Sequence, residues 1–244
     1  MKTFQVAAII PARSGSKGIP DKNVKLLGDY PLLSYSIAAA KLCGIEKVLV
    51  STDSEEYANI AKKFGADVPF LRSPDISSDQ STDYEFMNHA MRWHADNFDN
   101  LAEYWVHLRP TTPLRDPKLI RNAIDVILNT DDIDSLRSAH EVAESPFKWF
   151  LKDKKNLFKG IQDGLTPQKV NEPRQKFPKA YNPNGYVDIV KASHVLNSNN
   201  LHGERMYVYE TPVCTEIDIQ EDFDYLNYQF SQNSSQLSEY LKSF

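Results

Sequence analysis

An α/β fold of three layers, a mostly parallel sheet with helices on both faces, is what this sequence predicts, and two observations predict it. First, Val6 to Ile10 and Lys47 to Val50 are apolar runs short enough to be buried strands. Second, Pro31 to Leu42, Glu55 to Phe64 and Pro117 to about Leu128 read as amphipathic helices, and they alternate with strand-like runs along the chain. The 244 residues are enough for one such domain, residues 1–244, with an appended element.

The first strand runs into the stretch on which the reading turns, residues 9–23. Arg13, Lys17 and Lys22 are interleaved there with Ser14, Gly15, Ser16 and Gly18. Glycines let a backbone approach a ligand and turn its N–H groups inward, and three cations beside them suit a polyanion, a triphosphate above all. The Walker A spacing cannot be fitted to these residues. The second strand ends in Ser51-Thr52-Asp53-Ser54, which supplies capping chemistry for the helix from Glu55, and Gly65 stops that helix. Asp67 to Leu71 reads as a short strand. The cationic loop and Ser51-Thr52-Asp53 both fall at the carboxyl ends of parallel strands, where such sheets bind ligands.

Residues 72–83 are polar and lead into a helix from Tyr84 to about Phe98, with Asp79 and Thr82 suited to loop and N-cap roles. Tyr104 to Leu108 is a strand that delivers Arg109-Pro110-Thr111-Thr112-Pro113-Leu114-Arg115. Asp131-Asp132-Ile133-Asp134 reads as a solvated turn. Further strands are expected at Ser135 to Ala139, Tyr186 to Val190 and Met206 to Glu210. Residues 149–180 lack a helical stripe and are punctuated by Gly160, Gly164, Pro167, Pro173 and Pro178, so they read as a hairpin-rich insertion. Asn184-Gly185 taken alone is a hairpin turn. A last helix runs from Phe223 to about Tyr240, with Asp222 at its head and a break or fraying at Ser231 to Ser235.

Composition narrows the function. The net charge of −5 argues against general nucleic-acid binding, which needs a basic face. Cys43 and Cys214 are too few for a disulfide framework and stand in no CxxC or Cys/His cluster, so structural zinc is not expected. The apolar N-terminal run is too short for a signal peptide, and no stretch reaches the ~20 apolar residues of a membrane span. The expectation is a cytoplasmic protein with no membrane or nucleic-acid partner.

Pro11-Ala12-Arg13-Ser14-Gly15-Ser16-Lys17-Gly18-Ile19-Pro20 with Lys22-Asn23 resembles the signature of the CMP-sialic acid synthetases, the acylneuraminate cytidylyltransferases, with Ser14 where that family usually has Gly. Arg109-Pro110-Thr111-Thr112-Pro113-Leu114-Arg115 and Arg174-Gln175-x-x-Pro178-x-x-Tyr181-x-x-Asn184-Gly185 are similar to later motifs of the family. Glu216-Ile217-Asp218 matches its paired carboxylates, which lie on one face of a strand end, with Glu at the first. The resemblance covers nearly the whole chain. It implies a Rossmann-like nucleotidyltransferase sheet, and a hairpin-rich element at 149–180 that reaches a second subunit, hence a homodimer, with a lone flexible flap as the structural alternative for that element.

The same resemblance implies roles. Ala12, Arg13, Ser14, Gly15, Ser16, Lys22 and Asn23 would bind the nucleotide, and Arg72 with Thr82 or Asp83 would read its base. Arg109, Thr111, Lys148, Arg174, Gln175, Tyr181 and Asn184 would hold a sugar acid, with Arg174 on its carboxylate. Asp218 and Glu216 would hold Mg²⁺, a hard ion that takes oxygen ligands. Arg13, Lys17, Lys22 and Asp218 would be catalytic, stabilising the α-phosphate as pyrophosphate leaves. The attacking group would be the anomeric hydroxyl of a nonulosonic acid, its proton passing to a ligand carboxylate or a metal-bound hydroxide.

Two departures leave alternatives open. Asp83 stands where the family more often has Ser or Ala, and a carboxylate there suits guanine as well as it suits a helix cap, so GTP and a GMP-nonulosonate remain an alternative to CTP. Arg109 replaces a Gln that touches the sugar, and it would favour a carboxylate-bearing ligand. Legionaminic acid, pseudaminic acid and Kdo are alternative acceptors. A silent nucleotide-binding protein and a glycosyltransferase are the rival classes, and the second lacks a D-x-D motif after the strand at Leu108.

Overall fold

The computed structural model describes residues 5–98, 101–232 and 236–244. Along the chain, β1 (Val6–Pro11) is followed by a two-residue ladder of β2 (Leu26–Leu27) and β3 (Tyr30–Pro31), then α1 (Leu32–Leu42), β4 (Lys47–Ser51) and α2 (Glu55–Lys63). Next come α3 (Asp83–Asn97), β5 (Tyr104–His107), α4 (Pro117–Leu128) and β6 (Ser135–Glu141). The hairpin β7 (Phe150–Lys152) and β8 (Phe158–Gly160) precedes α5 (Pro167–Val170), β9 (Tyr181–Lys191), α6 (Ala192–Asn197), β10 (Met206–Glu210), α7 (Gln220–Gln232) and α8 (Gln236–Leu241).

Six strands form the central sheet in the order β10-β6-β9-β5-β1-β4. β1 pairs in parallel with β4 and β5, β6 pairs in parallel with β10, and β9 runs antiparallel between β5 and β6. The predicted three-layer α/β fold with a mostly parallel sheet is the one observed. Alternation along β1 shows why both faces are covered: Ala8 and Ile10 pack with α1, α2 and α4, while Ala7 and Ile9 pack with Phe86, Met87 and Met91 of α3. The chain leaves β1 with β4 on one side and β5 on the other, so a crevice opens beyond their carboxyl ends.

Four details correct the expectations. Asp67 makes only a single bridge to Leu49, and no strand extends to Leu71, because Pro69 has no N–H for a ladder. Asn184-Gly185 is not a turn: it lies inside β9, where the pairing shifts from Arg137↔Asp188 to Ala139↔Pro183 and Gly185 takes φ +61°. Only a glycine tolerates that backbone easily, and the result is a bulge that bends the strand. Glu216 and Asp218 lie in an unpaired segment instead of at a strand end. α7 begins three residues earlier than expected, at Gln220, because Asp222 caps it by accepting from the N–H groups of Asp218 (2.9 Å) and Ile219 (3.0 Å). The expected break at Ser231 to Ser235 falls partly on residues 233–235, which lie outside the described residues.

Within 149–180 there are one hairpin, one short α-helix and a 3-10 turn at Arg174–Lys176. Trp149, Phe150, Leu151 and Leu157 on that hairpin are each more than half exposed. Both cysteines are free, and no helix among the described residues is long and apolar enough to cross a membrane.

Candidate functional site

A cleft of about 520 Å³ opens beyond the carboxyl ends of β1, β4 and β5. Arg13, Ser16, Lys17, Gly18, Lys22 and Asn23 of the cationic loop form one wall. Arg72, Asp83 and Phe86 form the base of another, Arg109 and Thr111 close the β5 side, and Asp218 completes the rim. A slightly larger cleft, about 580 Å³, lies between the start of α4, residues 212–215 and α7, and it carries no comparable loop. Chemistry, not size, selects the first.

The loop is held in shape by its own side chains. Asn23 donates to the Arg13 carbonyl (2.9 Å), and Tyr57 donates to Asp21 (2.8 Å), whose φ of +51° makes the turn. Asp53, at the end of β4, accepts from the Ser14 N–H (2.7 Å) and hydroxyl (2.8 Å). Lys22 donates to the Ile217 carbonyl (2.7 Å). A Cβ at Gly18 would stand 2.7 Å from the Asp218 carbonyl oxygen, so glycine is what lets the loop and the Asp218 segment meet.

This shape gives several of the assigned residues a place of their own. Ser14 spends its N–H and hydroxyl on Asp53, and neither it, Ala12 nor Gly15 lines the cleft. Ala12 is buried and donates its N–H to Ser51. Asn23 lines the cleft but uses its amide nitrogen on the loop backbone. Thr82 is outside the lining and is the N-cap of α3, with Glu85 reaching back to its N–H (2.5 Å). Asp79, read as a loop or cap residue, instead lines the cleft and bridges Arg13 (2.7 Å) and Lys17 (2.5 Å). Ser81 and Phe86 also line it and were not foreseen.

The two departures from the family pattern meet each other. Arg109 donates to Asp83 (2.7 Å) and to the fully buried Asp188 (2.7 Å). Burial alone would lower the Arg109 pKa, but Asp188 and Asp83 raise it. Burial pushes Asp83 upward, yet neighbouring positive charge holds it below the usual carboxylate range. Arg109 supplies that charge, because burial drives the pKa of His107 down to about 3 and leaves its ring neutral. Asp83 therefore neither caps α3 nor stands free to clamp guanine, and Arg109 is not free to receive a ligand carboxylate.

Beside this pair, Arg72 is buried and donates to the Ser51 hydroxyl (2.7 Å) and carbonyl (2.6 Å). Its guanidinium lies 4.6 Å from the Phe86 ring centroid, and burial lowers its pKa to about 10, so it stays charged at pH 7. Arg72 and Asp83 thus present a donor and an acceptor on one wall.

The Arg174 motif lies elsewhere. Arg174 and Gln175 line a separate cleft of about 320 Å³ with Glu141, Ser145 and Lys179. Glu141 accepts from Arg174 (3.3 Å) and Lys179 (2.6 Å) and is held below its ordinary pKa by them. Lys148 donates to the Glu172 carbonyl (3.0 Å), and Tyr181 is exposed on β9. Asn184 is buried, and its amide nitrogen contacts Thr211 (2.8 Å) and the Pro212 carbonyl (3.4 Å) while its oxygen accepts from the Tyr186 N–H. The Asn184 side chain, assigned to the sugar, is thus engaged with the chain's own groups at the β9 bulge.

The carboxylates assigned to a metal were tested against their surroundings. Asp218 is exposed on the rim, while Glu216 lies outside the lining, 3.4 Å from the Thr111 hydroxyl. Among the described residues no three His, Cys, Asp or Glu side chains form a metal-binding group. Mg²⁺ commonly takes only one or two protein carboxylates, with phosphates and water completing the shell, so the donor set fits Mg²⁺ that arrives with a nucleotide.

Comparison with known proteins bears on the family and the fold. The family model described as Cytidylyltransferase matches residues 7–202. The N-acylneuraminate cytidylyltransferase of Escherichia coli O18:K1:H7 is 31% identical over 226 residues, covering 91% of this chain and 50% of that one. The CMP-N,N'-diacetyllegionaminic acid synthase of Legionella pneumophila is 38% identical over 124 residues, covering 50% of this chain and 53% of that one. The chain spans about half the length of the Escherichia coli relative, and the match to the Legionella relative covers about half of each chain. The solved structure of CMP:2-keto-3-deoxy-manno-octonic acid synthetase complexed with CTP superposes with a TM-score of 0.68 at 13% identity, covering 93% of this chain and 99% of that one.

Proposed function

The chain belongs to the cytidylyltransferase family, and from that premise we propose that it transfers CMP from CTP to the anomeric hydroxyl of a nonulosonic, sialic-type acid and releases pyrophosphate. The observation that carries the proposal is the convergence of Arg13, Lys17, Lys22 and Asp218 on one cleft at the end of β1, facing Arg72 and Asp83.

Arg13, Lys17 and the Ser16 hydroxyl bind the β- and γ-phosphates. Lys22, oriented by the Ile217 carbonyl, stabilises charge on the α-phosphate as the leaving group departs. Cytosine offers an amino donor beside a ring acceptor, which matches Asp83 as acceptor and Arg72 as donor. The pairing of Asp83 with Arg109 removes the sequence's reason for preferring guanine, so GTP becomes the lesser reading. Asp218, with Glu216 behind it, would hold Mg²⁺, which supplies Lewis-acid charge at the phosphate oxygens. The hydroxyl attacks phosphorus in line, its proton passes to the carboxylate of Asp218 or Glu216, the P–O bond to pyrophosphate breaks, and pyrophosphate carries the electron pair away.

The acceptor is read more coarsely. Arg174 and Gln175 lie off the nucleotide cleft, and the exposed Trp149, Phe150 and Leu157 need a partner surface, so we assign 149–180 to a homodimer contact that brings a second copy's Arg174 cleft to the nucleotide. The legionaminic acid relative keeps that acceptor beside N-acetylneuraminic acid as a second reading. The proposal places the enzyme in the cytoplasm, in keeping with its free cysteines.

Pyrophosphate release with Mg²⁺ tests this, crossing CTP and GTP against N-acetylneuraminic, legionaminic and pseudaminic acids and Kdo. Release with CTP and one nonulosonate is expected. Release with GTP alone would overturn the base assignment, and silence throughout would overturn the activity.

A further inference from the structure

Asp79 sits where a phosphate should. Its two carboxylate oxygens are divided between the two cations of the glycine loop, Oδ1 on Arg13 at 2.7 Å and Oδ2 on Lys17 at 2.5 Å. That fork has the shape in which a phosphate group would take the same pair. We propose that Asp79 is an internal anion that occupies the polyphosphate site, yields to the incoming triphosphate, and recaptures Arg13 and Lys17 as pyrophosphate leaves. The inference rests on the reading of this cleft as a polyphosphate site.

Three observations support displacement over permanent occupancy. Asp79 is one-third exposed and Lys17 is 83% exposed, so neither bridge is buried strongly enough to resist exchange. Asp79 lies at the tip of a short turn braced only locally, where the Ser78 and Ser81 hydroxyls meet at 3.0 Å and the Ser78 N–H donates to Ser81 Oγ at 2.9 Å. The turn stands between the short helical turn at Pro74–Ile76 and the capped start of α3, so its tip can swing without breaking either. One carboxylate is also a weaker competitor than a chain of phosphates, which offers more oxygens and more charge to the same cations.

The physical consequence is an affinity set below what the bare loop would reach. Without an occupant, two adjacent cations would hold pyrophosphate and stray anions as firmly as substrate. With Asp79 returning to them, the product is exchanged for an internal ligand. Every anion therefore binds at the expense of the same two bridges, whatever its base or sugar.

The test is calorimetric titration of pyrophosphate, and separately of CTP, into the full chain, Asp79→Asn and Asp75→Asn. Asp75 lies on the same segment outside the cleft lining and controls for the charge change alone. The proposal expects Asp79→Asn to bind pyrophosphate about 5- to 10-fold more tightly, with a lower KM for CTP and a lower kcat limited by product release, and Asp75→Asn to match the parent. Unchanged or weaker pyrophosphate binding in Asp79→Asn would overturn the proposal. Failure of the unmodified chain to bind either CTP or pyrophosphate would instead overturn the reading of the cleft.

Discussion

The cleft at the end of β1 and the cleft around Arg174 are both built of cations held by an internal carboxylate, yet they differ in completeness. In the first, residues from four separated segments meet: the loop after β1, Arg72, Arg109 and Asp218. In the second, Arg174, Gln175, Lys179 and Glu141 come from two neighbouring stretches and face no phosphate-binding loop. A shared sequence resemblance thus leads to two places on one protomer. The difference teaches that the nucleotide site is a product of the sheet's topology, whereas the acceptor site, on our reading, is finished only by a second copy.

Lys22→Ala gives the largest effect and tests the first half. It should cut pyrophosphate release about 100- to 1000-fold, as expected for loss of one group aimed at developing charge, while thermal unfolding stays close to that of the parent. Next, Arg109→Ala leaves the buried Asp188 with only the more distant Arg137, at 3.9 Å, and should cost about 3 kcal/mol, or a fall in Tm of about 10 °C by scanning calorimetry. A change of only a degree or two would mean that the Asp83–Arg109–Asp188 array does not anchor the cleft.

Arg174→Ala sharpens the contrast between the clefts. It should raise the KM for the sugar acid about tenfold or more and leave the affinity for CTP unaltered. A last test is a pH effect from beneath the first cleft. Burial lowers the His107 pKa from about 6.5 to about 3, so the unfolded chain binds a proton that the folded one refuses. That contribution is complete above about pH 6.5 and is lost as pH falls toward 3. In His107→Gln the stability measured by urea unfolding should vary less with pH across this window.

The sheet was legible because buried parallel strands and their helices carry strong periodicity: α4 begins at Pro117 and ends at Leu128 as the sequence predicts. The cations that line the cleft were legible as well, since Arg13, Lys17 and Lys22 stand close together along the chain. Asp53 holding Ser14, and Asp188 holding Arg109, were not legible, because those pairs span 39 and 79 residues and depend on strand order. Asn184 misled for a related reason. Asn-Gly favours a positive φ, and the chain spends that preference on a bulge inside β9 instead of on a turn. Arg109 and Asp83 each look like an oddity in sequence, and only the folded chain shows that they compensate one another.

The measurement that tests the central claim most directly is CTP binding by calorimetry to the parent chain, Lys22→Ala and Arg174→Ala. The account predicts tight binding to the parent, severe loss in Lys22→Ala and no loss in Arg174→Ala. Binding that survives Lys22→Ala and fails in Arg174→Ala would contradict it and move the nucleotide to the other cleft.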